Sequence, residues 1–234
     1  FSVSYFSYWR GGISIKEVFS DIIVEAPLGS RTKLTLPDGT LVWLNAGSRI
    51  TYSQGFGVGN RKIELIGEGY FEVKRNEEVP FLVKTNSLLV KVLGTKFNFR
   101  DYPDDAEAIV SLSEGKVALN NLLKKEKEAF LLPNERVVLN KKNGRMHVEY
   151  STVSNALQWT NGYLFFDEEL LPDVVKELER SYNVKIQIAS DTLNTFRFYG
   201  NFVHREQNIQ EVLEALSATR KIHYIIEGHN ITLY

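Results

Sequence analysis

Four histidines, His147, His204, His223 and His229, are the natural place to look for metal or acid–base chemistry. No two of them fall at the i, i+4 spacing that brings both imidazoles to one helix face, so a zinc site is not expected. His223 sits between Ile222 and Tyr224, and strand alternation turns it away from both, which suits packing or surface placement better than ligation. Carboxylates cluster at Asp104-Asp105 and at Asp167-Glu168-Glu169. Either group could supply the pair needed for glycoside or phosphoester chemistry. The first, however, follows Tyr102-Pro103 in an expected loop, and the second precedes an expected helix, where favouring the positive helix end is the simpler role. Gly55, Gly57 and Gly59 in QGFGVGN have the look of a phosphate cradle, yet no Gly-Lys-Ser/Thr follows and no helix opens after them. A surface turn is expected there. No nucleophile elbow with a Ser-His-Asp set is found, and the chain has no cysteine, which removes thiol catalysis, thiolate metal sites and disulfides. The expectation is a protein that is not an enzyme and uses no metal or cofactor.

Recognition chemistry is better supported. Trp43, Trp159, Tyr163 and Tyr199 could stack on a carbohydrate or other small molecule, which is one reading of the chain. The other is protein recognition. Lys and Arg number 28 against 29 Asp and Glu, so no net field draws nucleic acid or anionic lipid. The mixed run Lys124-Lys125-Glu126-Lys127-Glu128 reads as a solvated turn.

The elements that must carry these residues fall into two grammars. Residues 25–150 read as a succession of short strands broken by Gly, Pro, Asn and Asp. In GSRTKLTLPDGTLVWLNAGSRITY (residues 29–52), Leu34, Leu36, Val42, Leu44, Ile50 and Tyr52 keep period two, and Pro37-Asp38-Gly39 supplies a tight turn. Asn143-Gly144 between two alternating runs marks a hairpin. Residues 17–23 fit a short helix or a lead-in strand. After Tyr150 two amphipathic helices alternate with strands, and the region repeats at an offset of 38: Gly162 with Gly200, Leu171 with Ile209, Val174 with Val212, Leu178 with Leu216 and Ile186 with Tyr224. Each copy reads strand, helix, strand, so a duplicated βαβ arrangement with two helices against one small sheet is expected. Asp167 is the expected N-cap region of the first helix, Asn183 its αL C-cap, and Asn208 the N-cap of the second. The expected organisation is residues 1–24 as a leading segment, 25–150 as a β-rich domain and 158–234 as the repeat domain. The overall class is mainly β plus α/β.

The block at residues 29–52, followed in order by RKIELIGEGYFEV (61–73), PFLVKT (80–85), VKVLGTKFNF (90–99) and LSEGKVAL (112–119), resembles the FecR family. GYLFFDEELLPDVVKELERSYNVKIQI, FRFYGNF and NIQEVLEALSATRKIHYII are similar to the family's C-terminal region, itself like the secretin and TonB short N-terminal domain. The resemblance implies a right-handed β-helix or β-roll over 25–150. It further implies the periplasmic sensor region of an inner-membrane-anchored anti-sigma factor, with the anchor expected upstream of residue 1. Its partners would be the signalling domain of a TonB-dependent outer-membrane transporter and, through a cytoplasmic segment, a sigma factor, with no nucleic acid bound. Phe1, Tyr5, Phe6, Tyr8 and Trp9 would suit either a membrane interface or packing on the domain.

Alternation across the repeat strands sends Phe196, Phe198 and Phe202 toward the helices and leaves Tyr163, Phe165, Tyr199, Val203 and Ile225 on a second, apolar sheet face. That face is the candidate partner-binding site. Packing of it onto the β-rich domain is the simpler expectation, because sequential domains on a short connection commonly share an interface.

Overall fold

The computed structural model describes residues 20–150, 156–204 and 206–234. The aromatic readings at Phe1, Tyr5, Phe6, Tyr8 and Trp9 lie outside the described residues. Of the ambiguous stretch at 17–23, residues 21–23 belong to a strand.

Residues 21–150 build one 13-stranded sheet. Its first strands are β1 (Asp21–Ala26), β2 (Thr32–Thr35), β3 (Leu41–Leu44), β4 (Ser48–Ser53), β5 (Arg61–Glu72), β6 (Phe81–Lys84) and β7 (Leu88–Val92). Then come β8 (Lys96–Asp101), β9 (Glu107–Glu114), β10 (Val117–Asn121), β11 (Ala129–Leu131), β12 (Glu135–Asn140) and β13 (Met146–Tyr150). The long β5 joins two layers: its first half pairs with β4 and β6, its second half with β3 and β8. The sheet therefore wraps, nearly closed and barrel-like, around a core that includes Val42, Leu44, Ile50, Ile63, Phe71, Phe81, Phe97, Phe99 and Leu112. The β-helix or β-roll implied by the resemblance is not what these registers describe. Among strands β1–β13 only β5 and β6 pair in parallel, whereas the successive coils of a β-helix stack in parallel.

Turn chemistry acts where expected. Leu36 N–H donates to the Thr40 carbonyl across Pro37-Asp38-Gly39, with Gly39 at φ 86°, and Asp38 accepts from both the amide and the hydroxyl of Thr40. The β12–β13 hairpin closes through Asn143-Gly144 with Gly144 at φ 67°.

A second core gathers Leu164, Phe166, Leu171, Val174, Leu178, Phe198, Phe202, Val212, Leu213, Leu216 and Ile231. The elements are β14 (Tyr163–Leu170), α1 (Leu171–Tyr182), β15 (Lys185–Ile188), β16 (Arg197–Val203), α2 (Ile209–Ser217), β17 (Tyr224–Glu227) and β18 (Asn230–Leu233). The strand–helix–strand order recurs, and the helices begin at 171 and 209, a difference of 38. The single small sheet does not form. β14 pairs antiparallel with β16 in a two-stranded ribbon, while β15 and β17 lie in a separate sheet on either side of β18.

Helix ends follow the local chemistry with one exception. Asn183 ends α1 in the αL conformation (φ 52°, ψ 49°). Asn208 forms a capping box with Glu211 at the start of α2. Asp167 is not a cap. A register shift between Phe166 and Glu169, with Glu168 at φ 53°, lets β14 run on to Leu170, and α1 starts there with no side-chain cap and Pro172 in its first turn. No helix among the described residues is long and apolar enough to cross a membrane.

Candidate functional site

Two features stand out from the fold: an aromatic face on the β14–β16 ribbon, and a buried polar seam where the C-terminal elements meet the β-rich sheet.

The ribbon face follows from strand alternation. Leu164 and Phe166 on β14, with Phe198 and Phe202 on β16, turn into the second core, which leaves the odd-numbered residues outside. Tyr163 lies opposite Val203 in the register and Phe165 opposite Asn201. The rings of Phe165 and Tyr199 meet edge to face at 6.2 Å between centroids. Tyr199 is 68% exposed and Tyr163 37%. Four of the five expected site residues are thus brought together. Ile225 is not with them: it lies on β17, in the other sheet, where it pairs with Thr232 of β18 and is exposed. Nor does the ribbon face pack on the β-rich region, as the simpler expectation held. That contact is made by α1 and Trp159 instead.

Sequence reasoning missed this seam. Along β5, Ile63, Leu65 and Phe71 point into the barrel-like core, so Glu68 and Tyr70 point out. Outward Glu68 is nonetheless buried, because the C-terminal elements cover it. Its carboxylate accepts from Asn98 Nδ2 at 2.8 Å and from Asn45 Nδ2 at 2.9 Å. Asn98 Oδ1 in turn accepts from the Trp159 indole N–H at 3.1 Å. Beside it, α1 contributes Glu177 and Arg180. Arg180 donates to Asp105 at 3.1 Å and to Glu177 at 3.4 Å, and Arg100 reaches Asp105 at 2.8 Å and Glu177 at 3.5 Å. The Arg180 guanidinium lies 3.9 Å from the centroid of the Tyr102 ring, and the Arg180 carbonyl accepts from Gly29 N–H. Asp105, considered above for catalysis, is thus committed to two arginines, and no group of three or more metal-ligating side chains occurs among the described residues.

The two buried glutamates differ in their charge environment. Burial is the largest influence on Glu68 and raises its pKa, with Glu177 adding to the effect against opposition from Arg100. Burial also pushes Glu177 up, but Arg100, Arg180 and Arg31 together outweigh it and hold the carboxyl below its ordinary value. Asp105 behaves likewise: burial is outweighed by Arg100 and Arg180.

The four candidate stacking aromatics do not form one platform. Tyr163 and Tyr199 belong to the ribbon, whereas Trp43 and Trp159 line a cleft of about 360 Å³ between the sheet and the C-terminal elements. Trp43 is half-buried, with Tyr70 at 5.3 Å and the Lys33 ammonium 4.4 Å over its ring.

Residues 23–118 match the family described as FecR protein, and residues 163–233 the family described as FecR, C-terminal. No curated protein matches the chain. Two crystal structures of a candidate anti-sigma factor from Parabacteroides distasonis superpose on it with TM-scores of 0.83 and 0.84 at 33% sequence identity. They cover 91% and 92% of this chain and 98% and 99% of their own. The chain belongs to the FecR family of anti-sigma factors.

Proposed function

We propose that this chain is the periplasmic sensor region of an inner-membrane-anchored FecR-type regulator, organised as a β-rich domain at 25–150 and a C-terminal domain at 158–234. In this role it receives the signalling domain of a TonB-dependent outer-membrane transporter and passes the signal to an extracytoplasmic-function sigma factor. Its work is protein recognition, and the ligand is sensed by the transporter.

The observation that carries the reading is the exposed aromatic face of the β14–β16 ribbon. Tyr163, Phe165 and Tyr199 form a contiguous patch of the residue types that dominate contact energies. The ribbon has only two strands, so each has an edge that pairs with no other strand among the described residues. A partner strand can therefore add to the ribbon through main-chain hydrogen bonds while its side chains meet the aromatic patch. β17 offers a further edge, with Ile225 exposed.

Titration of the purified chain with the cognate transporter's signalling domain tests this. Phe165→Ala and Tyr199→Ala are expected to weaken binding about tenfold each, as loss of an aromatic anchor does. Ile225→Asp is expected to weaken it as well. Undiminished binding by all three would move the site elsewhere.

A further inference from the structure

The cleft holding Trp43 and Trp159 is separate from the ribbon face, and its chemistry is one-sided. Arg31, Lys33 and Trp43 line it from the β-rich sheet, and Trp159, Thr160 and His204 from the C-terminal elements. No carboxylate is among its lining residues, although the chain as a whole carries a net charge of −1. Arg31 is tied down on one side only: its Nε donates to Asn45 Oδ1 at 2.9 Å, while its Nη2 is buried with no hydrogen-bond partner among the described residues. A buried guanidinium N–H without an acceptor is costly, and the acceptor it is built to meet is an oxyanion. Lys33 stands directly across the strand pair from Trp43, holds its ammonium 4.4 Å over that ring and forms no ion pair among the described residues, so an unneutralised cation lies beside the indole in the cleft that both residues line. Glu68 and Glu177 offset part of the Arg31 charge, but both accept from Asn45 Nδ2 and neither lines the cleft.

We propose that this cleft binds a small anion: a carboxylate or phosphate group on a polar body the size of one sugar ring, with the oxyanion between Arg31 and Lys33 and the body against Trp43 and Thr160. A volume of about 360 Å³ lies at the lower end of ordinary small-molecule sites. Because its walls come from both the sheet and the C-terminal elements, an occupant ties the two together and strengthens their contact. This site stands independently of the transporter-binding reading, since none of its lining residues belongs to the ribbon patch.

The test is a tryptophan-fluorescence titration of the full chain with D-glucuronate, glucose 6-phosphate and neutral glucose, alongside thermal melts at the same concentrations. Saturable binding of one or both anions in the micromolar to millimolar range is expected, together with a raised melting temperature and weakening as salt is added. The two anions separate carboxylate from phosphate preference. Lys33→Glu, a surface substitution, should weaken binding at least tenfold, Arg31→Gln should do the same, and Lys62→Glu on a distant strand should leave it unchanged. The proposal is overturned if neither anion binds saturably, if glucose binds as well as the anions, or if Lys33→Glu and Arg31→Gln both bind like the original chain.

Discussion

Glu177 is the residue on which the contact between the two cores turns. It accepts from Arg100, Arg180, Ser181 and Asn45, and its side chain is only 10% exposed. Removing one member of such a network leaves its partners' charges buried and unbalanced. Glu177→Ala is therefore expected to lower unfolding stability by about 3–5 kcal/mol. Glu25, whose pairing with Arg49 is largely exposed, should be replaceable by Ala with no measurable change. Urea melts of the two variants make the comparison. Acid should act on the same network. Glu177 and Asp105 lie below their ordinary values of 4.5 and 3.8, so their contribution is complete above those values and is lost as pH falls through the folded-state pKa. Glu68, raised by burial, works in the opposite sense: its contribution favours folding at low pH and is lost as pH rises through its folded-state pKa. Glu177 and Asp105 hold the ion pairs to Arg100 and Arg180, so the urea midpoint should fall as pH drops below about 4.5, against Glu68 and Glu169, whose carboxyls are raised by burial and act in the opposite sense, and Glu177→Gln should flatten that fall. A midpoint that rises on acidification would contradict the leading role of Glu177 and Asp105. None of this was legible in the sequence. Glu68, Asn98 and Arg100 occupy outward strand positions, where a polar residue is the ordinary occupant, and period-two alternation carries no sign that another part of the chain will cover them.

At the scale of elements, β5 depends on Gly67. Its φ is 96°, and a Cβ there would lie 2.5 Å from Ser48 Oγ and 2.9 Å from the Ser48 Cα, where the strand passes from one layer to the other. Gly39 has a similar φ of 86°, but a Cβ there would meet nothing within 4 Å. Gly39→Ala should cost about 1–3 kcal/mol in backbone strain alone. Gly67→Ala should cost clearly more, because Ser48 and its backbone must also move. Equal melting temperatures for the two variants would contradict that role. In α1, Leu178 is fully buried in the second core, and Leu178→Ala is expected to cost about 2–5 kcal/mol in the same assay. The helices themselves were readable because a 3.6-residue apolar stripe and a capping Asn are local signals: Asn183 and Asn208 act as the sequence implies. The start of α1 was not. A bulge at Phe166–Glu169 is set by pairing with β16, and nothing within DEEL announces it. The sheet partition was hidden for a similar reason, since β18 lies outside the 38-residue repeat and inserts between β15 and β17.

At the scale of the whole molecule, the β-rich sheet and the C-terminal elements are joined through a polar, charge-balanced seam rather than through the apolar ribbon face. The seam occupies α1 and Trp159, which leaves the β14–β16 face open on the opposite side of its own core. Sequence alternation identified Tyr163, Phe165, Tyr199 and Val203 as sharing a face, but the strand pairing that separates Ile225 from them is a non-local fact. For the relay role proposed above, this places the candidate partner face on one side and a titratable, many-membered contact on the other. Amide hydrogen exchange of the chain, alone and saturated with the transporter signalling domain, is the most direct measurement. Slowed exchange concentrated in β14 and β16, extending to β17, is the expected result. Slowed exchange confined to β1–β13, with β14 and β16 exchanging as in the free chain, would contradict a partner site on the ribbon.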